Sequence, residues 1–247
     1  MRLLVDLRPC RPADGLALDE ALLDSLRHGG EEAVRLWVND CAIIVGRSQP
    51  VDTEVDIEAA ERCGFPILRR VSGGGTVVHY PGNLNVSAVV SERPDWASVA
   101  DAFARFGGAL AAGLTSLGRA FRVLDNGIYA NERKVGGAAQ ARRGRAILVH
   151  STVMVQPCGV PFDVLLRAMR PGYEPVVPAS RPRPVTSVSE VLGHRMDVCA
   201  VTEAVLNGLR GELGWTLFDG TLTAAETSSS AALRDGKYGR REWNRKT

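Results

Sequence analysis

The sequence predicts an α+β fold, a mixed, largely antiparallel β-sheet flanked by helices. Three observations carry that expectation. Short apolar runs of strand character follow one another in groups, which fits neither regular strand-helix alternation nor an all-β chain. Isolated between the groups are segments with the three-to-four-residue apolar spacing of helices. With 247 residues, 45% of them apolar and 23% charged, the chain can bury one substantial core.

In chain order, residues 3–7 read as a strand, and Asp14 is placed to cap a helix to about residue 28, with Leu18, Leu22 and Leu26 on one face. Strands follow at 34–38 and 42–46, then a helix near 54–63 and a strand at 66–70. A glycine turn at 73–75 leads into strands at 76–79 and 84–90. An alanine-rich helix, about 98–117, precedes a hairpin series at 121–124, 127–131, 134–141 and 146–155. Five prolines within 171–184 exclude regular helix and predict an extended loop, either a lid or a plain connection. Helices near 187–193 and 200–213 and a polar stretch from 219 complete the chain, with no repeat and no linker, so 1–247 reads as a single domain.

Composition narrows the function. A formal charge of +2 excludes nucleic-acid binding by bulk basicity, because phosphate neutralisation needs a concentrated positive face. Five dispersed cysteines, Cys10, Cys41, Cys63, Cys158 and Cys199, form neither a disulfide framework nor a zinc pattern, which fits a reducing cytoplasm. The start of the chain is charged too early for a signal peptide, and no apolar run approaches the 18 residues of a membrane span. Of 30 cationic side chains only Lys134, Lys237 and Lys246 are lysines. Two lie near the end of the chain, so the body keeps Lys134 alone.

Three segments carry chemistry. In Arg69-Arg70-Val71-Ser72-Gly73-Gly74-Gly75-Thr76-Val77-Val78-His79, the glycines let backbone amides approach an anion and the arginines offer planar forks for phosphate or carboxylate. A glycine-rich hairpin with solvated arginines is the alternative; the pattern is neither a P-loop nor a dinucleotide fingerprint. In Asn131-Glu132-Arg133-Lys134-Val135-Gly136-Gly137, a turn delivers Lys134 to a strand edge, where a point charge on a long stem can reach a phosphate or an acyl carbonyl. In Ile147-Leu148-Val149-His150-Ser151-Thr152-Val153, three polar residues interrupt an apolar strand and either satisfy one another locally or face a site.

Together these segments resemble the lipoate- and biotin-protein ligase superfamily, and most closely the lipoate-protein ligase branch. The resemblance rests on the arginine pair with Ser-Gly-Gly-Gly, on His79-x-x-Gly-Asn83, on the spacing from Asn126 to Arg133-Lys134-Val135, and on the ending Lys237-Tyr238-x-x-x-Glu242-Trp243-Asn244. It implies a fold related to class II aminoacyl-tRNA synthetases and biotin ligases. It implies activation of lipoate or octanoate by ATP and Mg2+ to an acyl-adenylate, and transfer to a lysine of a lipoyl domain or a glycine cleavage H-like protein. Lys134 would then contact the activated carboxyl and α-phosphate. Arg70, Ser72 and Gly73, Gly74 and Gly75 would cradle acyl chain and phosphate, His79 would line the pocket, and Val77 with neighbouring apolar side chains would make the slot for the acyl tail. Asn83, Asn126, Gly137, His150 and Thr152 would complete the substrate and adenylate site, with Asp125 as a metal-binding candidate. The proline-rich segment lies where the family closes a loop over the adenylate.

The chain departs from the family pattern at Asn126-Gly127, where an acid commonly follows the Asn, and at His150-Ser151-Thr152, where Gly commonly follows the His. An ATP-independent octanoyl or lipoyl transferase, taking its acyl group from a carrier protein or a lipoyl protein, is the rival. It needs a nucleophile near the lysine, and Cys158 reads instead as structural. A non-catalytic acyl-adenylate-binding homologue is the third reading. The resemblance further implies that the accessory domain many ligases carry beyond this ending is missing here, so that either the activity is complete without it or a separate subunit supplies it. Arg142, Arg143 and Arg145 in one turn, and six cations in the last fourteen residues, form a basic rim suited to an acidic partner or are ordinary solvated cations. Neither nucleic acid nor membrane is expected as a partner.

Overall fold

A computed structural model describes residues 1–246. The chain runs β1 (Arg2–Cys10), α1 (Pro12–Arg27), β2 (Ala33–Asn39), β3 (Ala42–Val45), α2 (Val51–Glu54), α3 (Ile57–Arg62), β4 (Ile67–Arg69), β5 (Val77–His79) and β6 (Asn83–Ser91). It continues through α4 (Val99–Thr115), β7 (Arg122–Leu124), β8 (Gly127–Ala130), β9 (Arg133–Arg143), β10 (Ala146–Met154) and α5 (Phe162–Leu165). The last elements are α6 (Val188–Leu192), α7 (Val198–Leu213), β11 (Phe218–Asp219), α8 (Ala224–Leu233) and α9 (Arg241–Asn244).

Eight strands form one sheet in the order β11-β1-β2-β6-β10-β9-β8-β7. β1 is parallel to both its neighbours and every other pairing is antiparallel, so the mixed, mostly antiparallel expectation holds. A second sheet, β4-β3-β5, carries the glycine segment between its outer strands. Period-two alternation decides what each face of the large sheet does. Leu84, Val86 and Ala88 of β6, with Ile147, Val149 and Val153 of β10, pack against Phe106 and Leu110 of α4 and Val205 and Leu209 of α7. The opposite face packs against α1 and the small sheet, through Trp37, Leu16, Ile44 and Leu68.

Several local expectations are corrected. Asp14 does not cap α1; Pro12 opens the helix after Arg11, and Asp14 pairs with Arg11 in the first turn at 2.8 Å. The helix expected at 54–63 is two helices, because Val55 is extended and bridges to Leu166, after which the Asp56 side chain accepts from the Ala59 amide and starts α3. The stretch after residue 219 is not featureless. A capping box between Thr223 and Glu226 starts α8, and a wide turn at Arg234–Tyr238 leads to α9. Among the described residues no helix is long and apolar enough to cross a membrane.

Candidate active site

Strand alternation on the α1 side builds the floor of a cavity of about 310 Å³. β2 contributes Trp37, β6 contributes Asn85 and Ser87, and β10 contributes His150 and Thr152, while Gly137 and Ala139 of β9 continue the row. Register places Asn85 opposite Thr152 and Ser87 opposite His150 on one side of β10, and Gly137 opposite Thr152 on the other. The small sheet supplies Ile44, Val77 and His79, and α1 supplies Leu16. One end, at Leu16, Trp37, Ile44, His79 and Asn85, is buried; the other, at Gly74, Lys134, Asn126 and Arg181, reaches the surface.

At the open end Lys134 is held by its backbone. Its amide donates to the Pro184 carbonyl at 2.8 Å, and the Thr186 amide donates to its carbonyl at 2.9 Å. Two glycines leave room for its stem: a Cβ at Gly137 would sit 3.0 Å from Lys134 Nζ, and one at Gly127 would sit 3.1 Å from its Cε. Burial, reinforced by the charges of Arg183 and Arg70, lowers the Lys134 pKa, and Asp125 opposes them. Asn126 holds the neighbouring turn, its Nδ2 donating to Ala138 O at 2.7 Å.

The arginine pair divides its work, which corrects the expectation of two forks free for an anion. Arg69 turns away from the cavity and donates to the carbonyls of Gly46 and Gln49 at 2.8 Å, of Lys246 at 2.6 Å and of Trp243 at 3.2 Å. Arg70 lines the cavity, but its guanidinium is largely committed to the glycine loop. It donates to Ser72 Oγ at 3.0 Å and to the carbonyls of Ile44, Gly73 and Gly75 at 3.1, 2.5 and 2.8 Å. Burial lowers its pKa to about 10. Gly74, at φ +85°, takes the left-handed turn a side chain would strain, so the loop folds back onto Arg70.

Ser72 is buried beneath this loop. Its hydroxyl lies 2.6 Å from His150 Nε2, and His150 Nδ1 lies 3.3 Å from Asp19 Oδ2. Asp19 also accepts from Arg35 at 2.7 Å and from Ser87 Oγ at 2.8 Å. Burial alone would raise the Asp19 carboxyl, but His150, the Arg35 charge and Ser87 outweigh it and hold it below the usual carboxylate range. Asp19 and Ser72 thus hold the two ring nitrogens of His150 from opposite sides, which ties the glycine loop to β10. At the buried end, burial pushes His79 down to about 3, with the His150 and Arg70 charges acting the same way.

The proline-rich segment is a wall of the site, through Ala179, Ser180 and Arg181. Buried Glu54 accepts from Tyr173 Oη at 2.5 Å, from the Ser180 amide at 3.0 Å and from the Ser180 hydroxyl. Ser180 Oγ in turn accepts from the Thr76 amide at 2.9 Å, so the segment is fastened to the glycine loop.

Other expectations need correction. Asn83 lies outside the main cavity, beside a smaller hollow of about 100 Å³ with Val78, Met154 and Phe162 that shares Lys134 and Thr152 as walls. Asp125 has no partner ligands: among the described residues no group of three or more His, Cys, Asp or Glu gathers to hold a metal, so a protein-built metal site does not fit. Of the basic rim, Arg142 is spent on the carbonyls of Trp96, Ala97 and Ser98, and Arg143 on Glu20 and Asp24. Cys158 packs beside the cluster of Ile43, Val78 and Leu166, and burial raises its thiol pKa. None of the five cysteines lines the cavity.

The sequence reading missed Asp19, Arg35, Trp37, Asn85 and Ser87. A signal was present. In β2 and β6 polar residues alternate with apolar ones, Arg35-Leu36-Trp37-Val38-Asn39 and Asn83-Leu84-Asn85-Val86-Ser87, on strands buried on both faces. Glu54 and Ser180 gave no such signal, since only folding brings them together.

The chain matches the family described as lipoyl protein ligase A/B catalytic domain over residues 11–210. It is 35% identical over 207 residues to an Aeropyrum pernix protein named for lipoate-protein ligase A, covering 82% of this chain and 76% of that one. It is 29% identical to lipoate-protein ligase A subunit 1 of Thermoplasma acidophilum, over 98% and 95% of the two chains. It is also 29% identical to an octanoyltransferase LipM of Symbiobacterium thermophilum, over 94% and 93%. Among solved structures, a T. acidophilum lipoate protein ligase with bound lipoic acid superposes with a TM-score of 0.85 at 29% identity, over 99% and 98% of the chains. A bipartite T. acidophilum ligase described with its E2 lipoyl domain gives 0.85 at 27%, over 99% and 95%. A lipoate-protein ligase A bound with ATP gives 0.83 at 28%, over 99% and 98%. By that match, which spans its glycine loop and its lysine strand, the chain belongs to the lipoyl protein ligase A/B catalytic domain family.

Proposed function

We propose that this chain is a lipoate-protein ligase that activates lipoate or octanoate with ATP to an acyl-adenylate and passes the acyl group to a lysine of a lipoyl domain. The observation that carries the reading is a single lysine at the open end of a cavity whose buried end is mostly aliphatic and aromatic and whose lining holds no cysteine. Adenylation followed by aminolysis needs no protein nucleophile; it needs aligned reactants, a charge for the developing anion and exclusion of water. At about 310 Å³ the cavity lies at the small end of the roughly 300–1,000 Å³ range of small-molecule sites. It takes an acyl chain, and leaves the nucleotide at the mouth among Lys134, Arg181 and Arg183. Mg2+ enters with the nucleotide, since Asp125 stands without partner ligands. Similarity to a ligase with bound lipoic acid and to one with bound ATP supports both substrates.

The acceptor we propose is a lipoyl domain or a glycine cleavage H-like protein, and we propose a second, separate subunit for adenylate formation. Supporting this, the chain covers 95% of a relative that is itself named subunit 1. Transfer from an octanoyl carrier protein without ATP is the second reading, favoured by likeness to an octanoyltransferase. Purified protein incubated with apo lipoyl domain and either lipoate with ATP-Mg or octanoyl carrier protein separates the two by intact mass. Acceptor modified in the first mixture is the expected result, with an added small subunit raising the yield; acceptor modified only in the second overturns the ligase reading.

A further inference from the structure

At its buried end the acyl slot is not lined by hydrocarbon alone. Asn39 is fully buried, and its Oδ1 accepts from the Cys10 thiol at 3.3 Å, which leaves Nδ2 as the group 2.8 Å from His79 Nδ1. Nδ2 can only donate, so Nδ1 of His79 accepts, and a neutral imidazole then carries its proton on Nε2. Burial, which pushes His79 down to about 3, keeps the ring neutral at ordinary pH. Among the described residues Nε2 has no hydrogen-bond partner, and the ring lines the cavity edge-on to Trp37 at 5.9 Å. Asn85, on the floor opposite Trp37 in the strand register, accepts at Oδ1 from Asn83 Nδ2 at 3.1 Å, while its own buried Nδ2 has no partner among the described residues. Two N-H donors thus stand unpaired among the described residues at the buried end of the cavity.

Resting on the reading of this cavity as an acyl slot, we propose that His79 and Asn85 are specificity-determining residues whose free N-H groups recognise the sulfur pair ending a lipoyl chain over the methyl ending an octanoyl chain. Divalent sulfur is a weak acceptor, and it packs favourably against aromatic edges, which Trp37 supplies. A methyl end leaves both donors buried against hydrocarbon, a state that costs binding because neither water nor ligand pairs them. Asn39 acts through His79 as a positioning residue, since it fixes which ring nitrogen carries the proton.

Calorimetric titration of the whole purified protein with lipoate, octanoate and cyclopentylpentanoate tests this. The last is lipoate with each sulfur replaced by methylene, so shape is nearly constant and only the acceptor changes. Lipoate should bind about 5- to 10-fold more tightly than the carbocycle, the scale of weak sulfur contacts. Asn85→Leu and His79→Phe should each cut the preference to about two- to threefold, because one of the two donors is gone, and the double variant should bring the two ligands within about 1.5-fold. Equal affinities in the unmodified protein overturn the proposal, and need no variant to fold. A preference unchanged in both folded variants overturns it as well. No lipoate binding at all strikes instead at the acyl-slot reading beneath it.

Discussion

Lys134 is surrounded by backbone: Pro184 and Thr186 hold its main chain, and Gly127 and Gly137 make room for its stem. A slender ammonium fits this gap, whereas a guanidinium is planar and wider and does not turn to a point charge. Lys134→Arg keeps the charge and the strand pairing but misplaces the cation. Acceptor modification with lipoate and ATP should fall by about 10²–10³, the cost of losing one preorganised charge at a developing anion. The midpoint of urea unfolding should stay close to that of the unmodified protein. Turnover within threefold would remove Lys134 from its proposed role.

Among the elements, the segment 171–184 depends most on one side chain. The Glu54 carboxylate only accepts, and it meets the Tyr173 hydroxyl and the Ser180 amide and hydroxyl. Glu54→Gln turns one oxygen into a donor facing donors, which the segment relieves only by moving off the glycine loop. Hydrogen exchange at Ser180 and Thr76 should then accelerate, and the lipoate KM should rise about tenfold, the effect of one broken buried hydrogen bond to a charged group. Unchanged exchange at both amides would show that other contacts hold the segment. This wall also shows what the sequence could and could not disclose. Helices with capping pairs, Ser98 with Asp101 and Ser187 with Glu190, stand close to where their sequence signals lie, whereas the Thr223 and Glu226 pair was equally readable but sat among residues too polar to suggest burial. Glycine loop, lysine turn and His150 strand announced the site because their chemistry is local. Asp19, Glu54 and Ser180 did not, since each matters through residues brought to it from a distant part of the chain.

The molecule as a whole joins its last residues to the site. Asn244 Oδ1 accepts from the Arg69 amide at 3.0 Å, and Lys237 donates to Glu20 at 2.8 Å while stacking over Trp243 at 4.0 Å, so the end of the chain braces the glycine loop from behind. Within the same molecule His79 is buried against Trp37 and Asn39, and that has a consequence for stability. Folded His79 stays neutral down to about 3, while an unfolded histidine takes its proton near pH 6.5. Above about pH 6.5 neither state binds the proton and the residue contributes no pH dependence. Between that pH and about 3 the unfolded state binds more protons, so folding stability falls as the pH falls, with a limiting slope of about 1.4 kcal/mol per pH unit from this residue. Urea unfolding of the unmodified protein and of His79→Gln, followed from pH 7.5 to 4.5 in steps, isolates the contribution. The variant starts less stable, because the ring packed against Trp37 is lost, yet its stability should decline more gently below pH 6.5, so the two curves converge. Parallel curves would mean that His79 takes up its proton in the folded protein, and that water reaches the buried end of the slot.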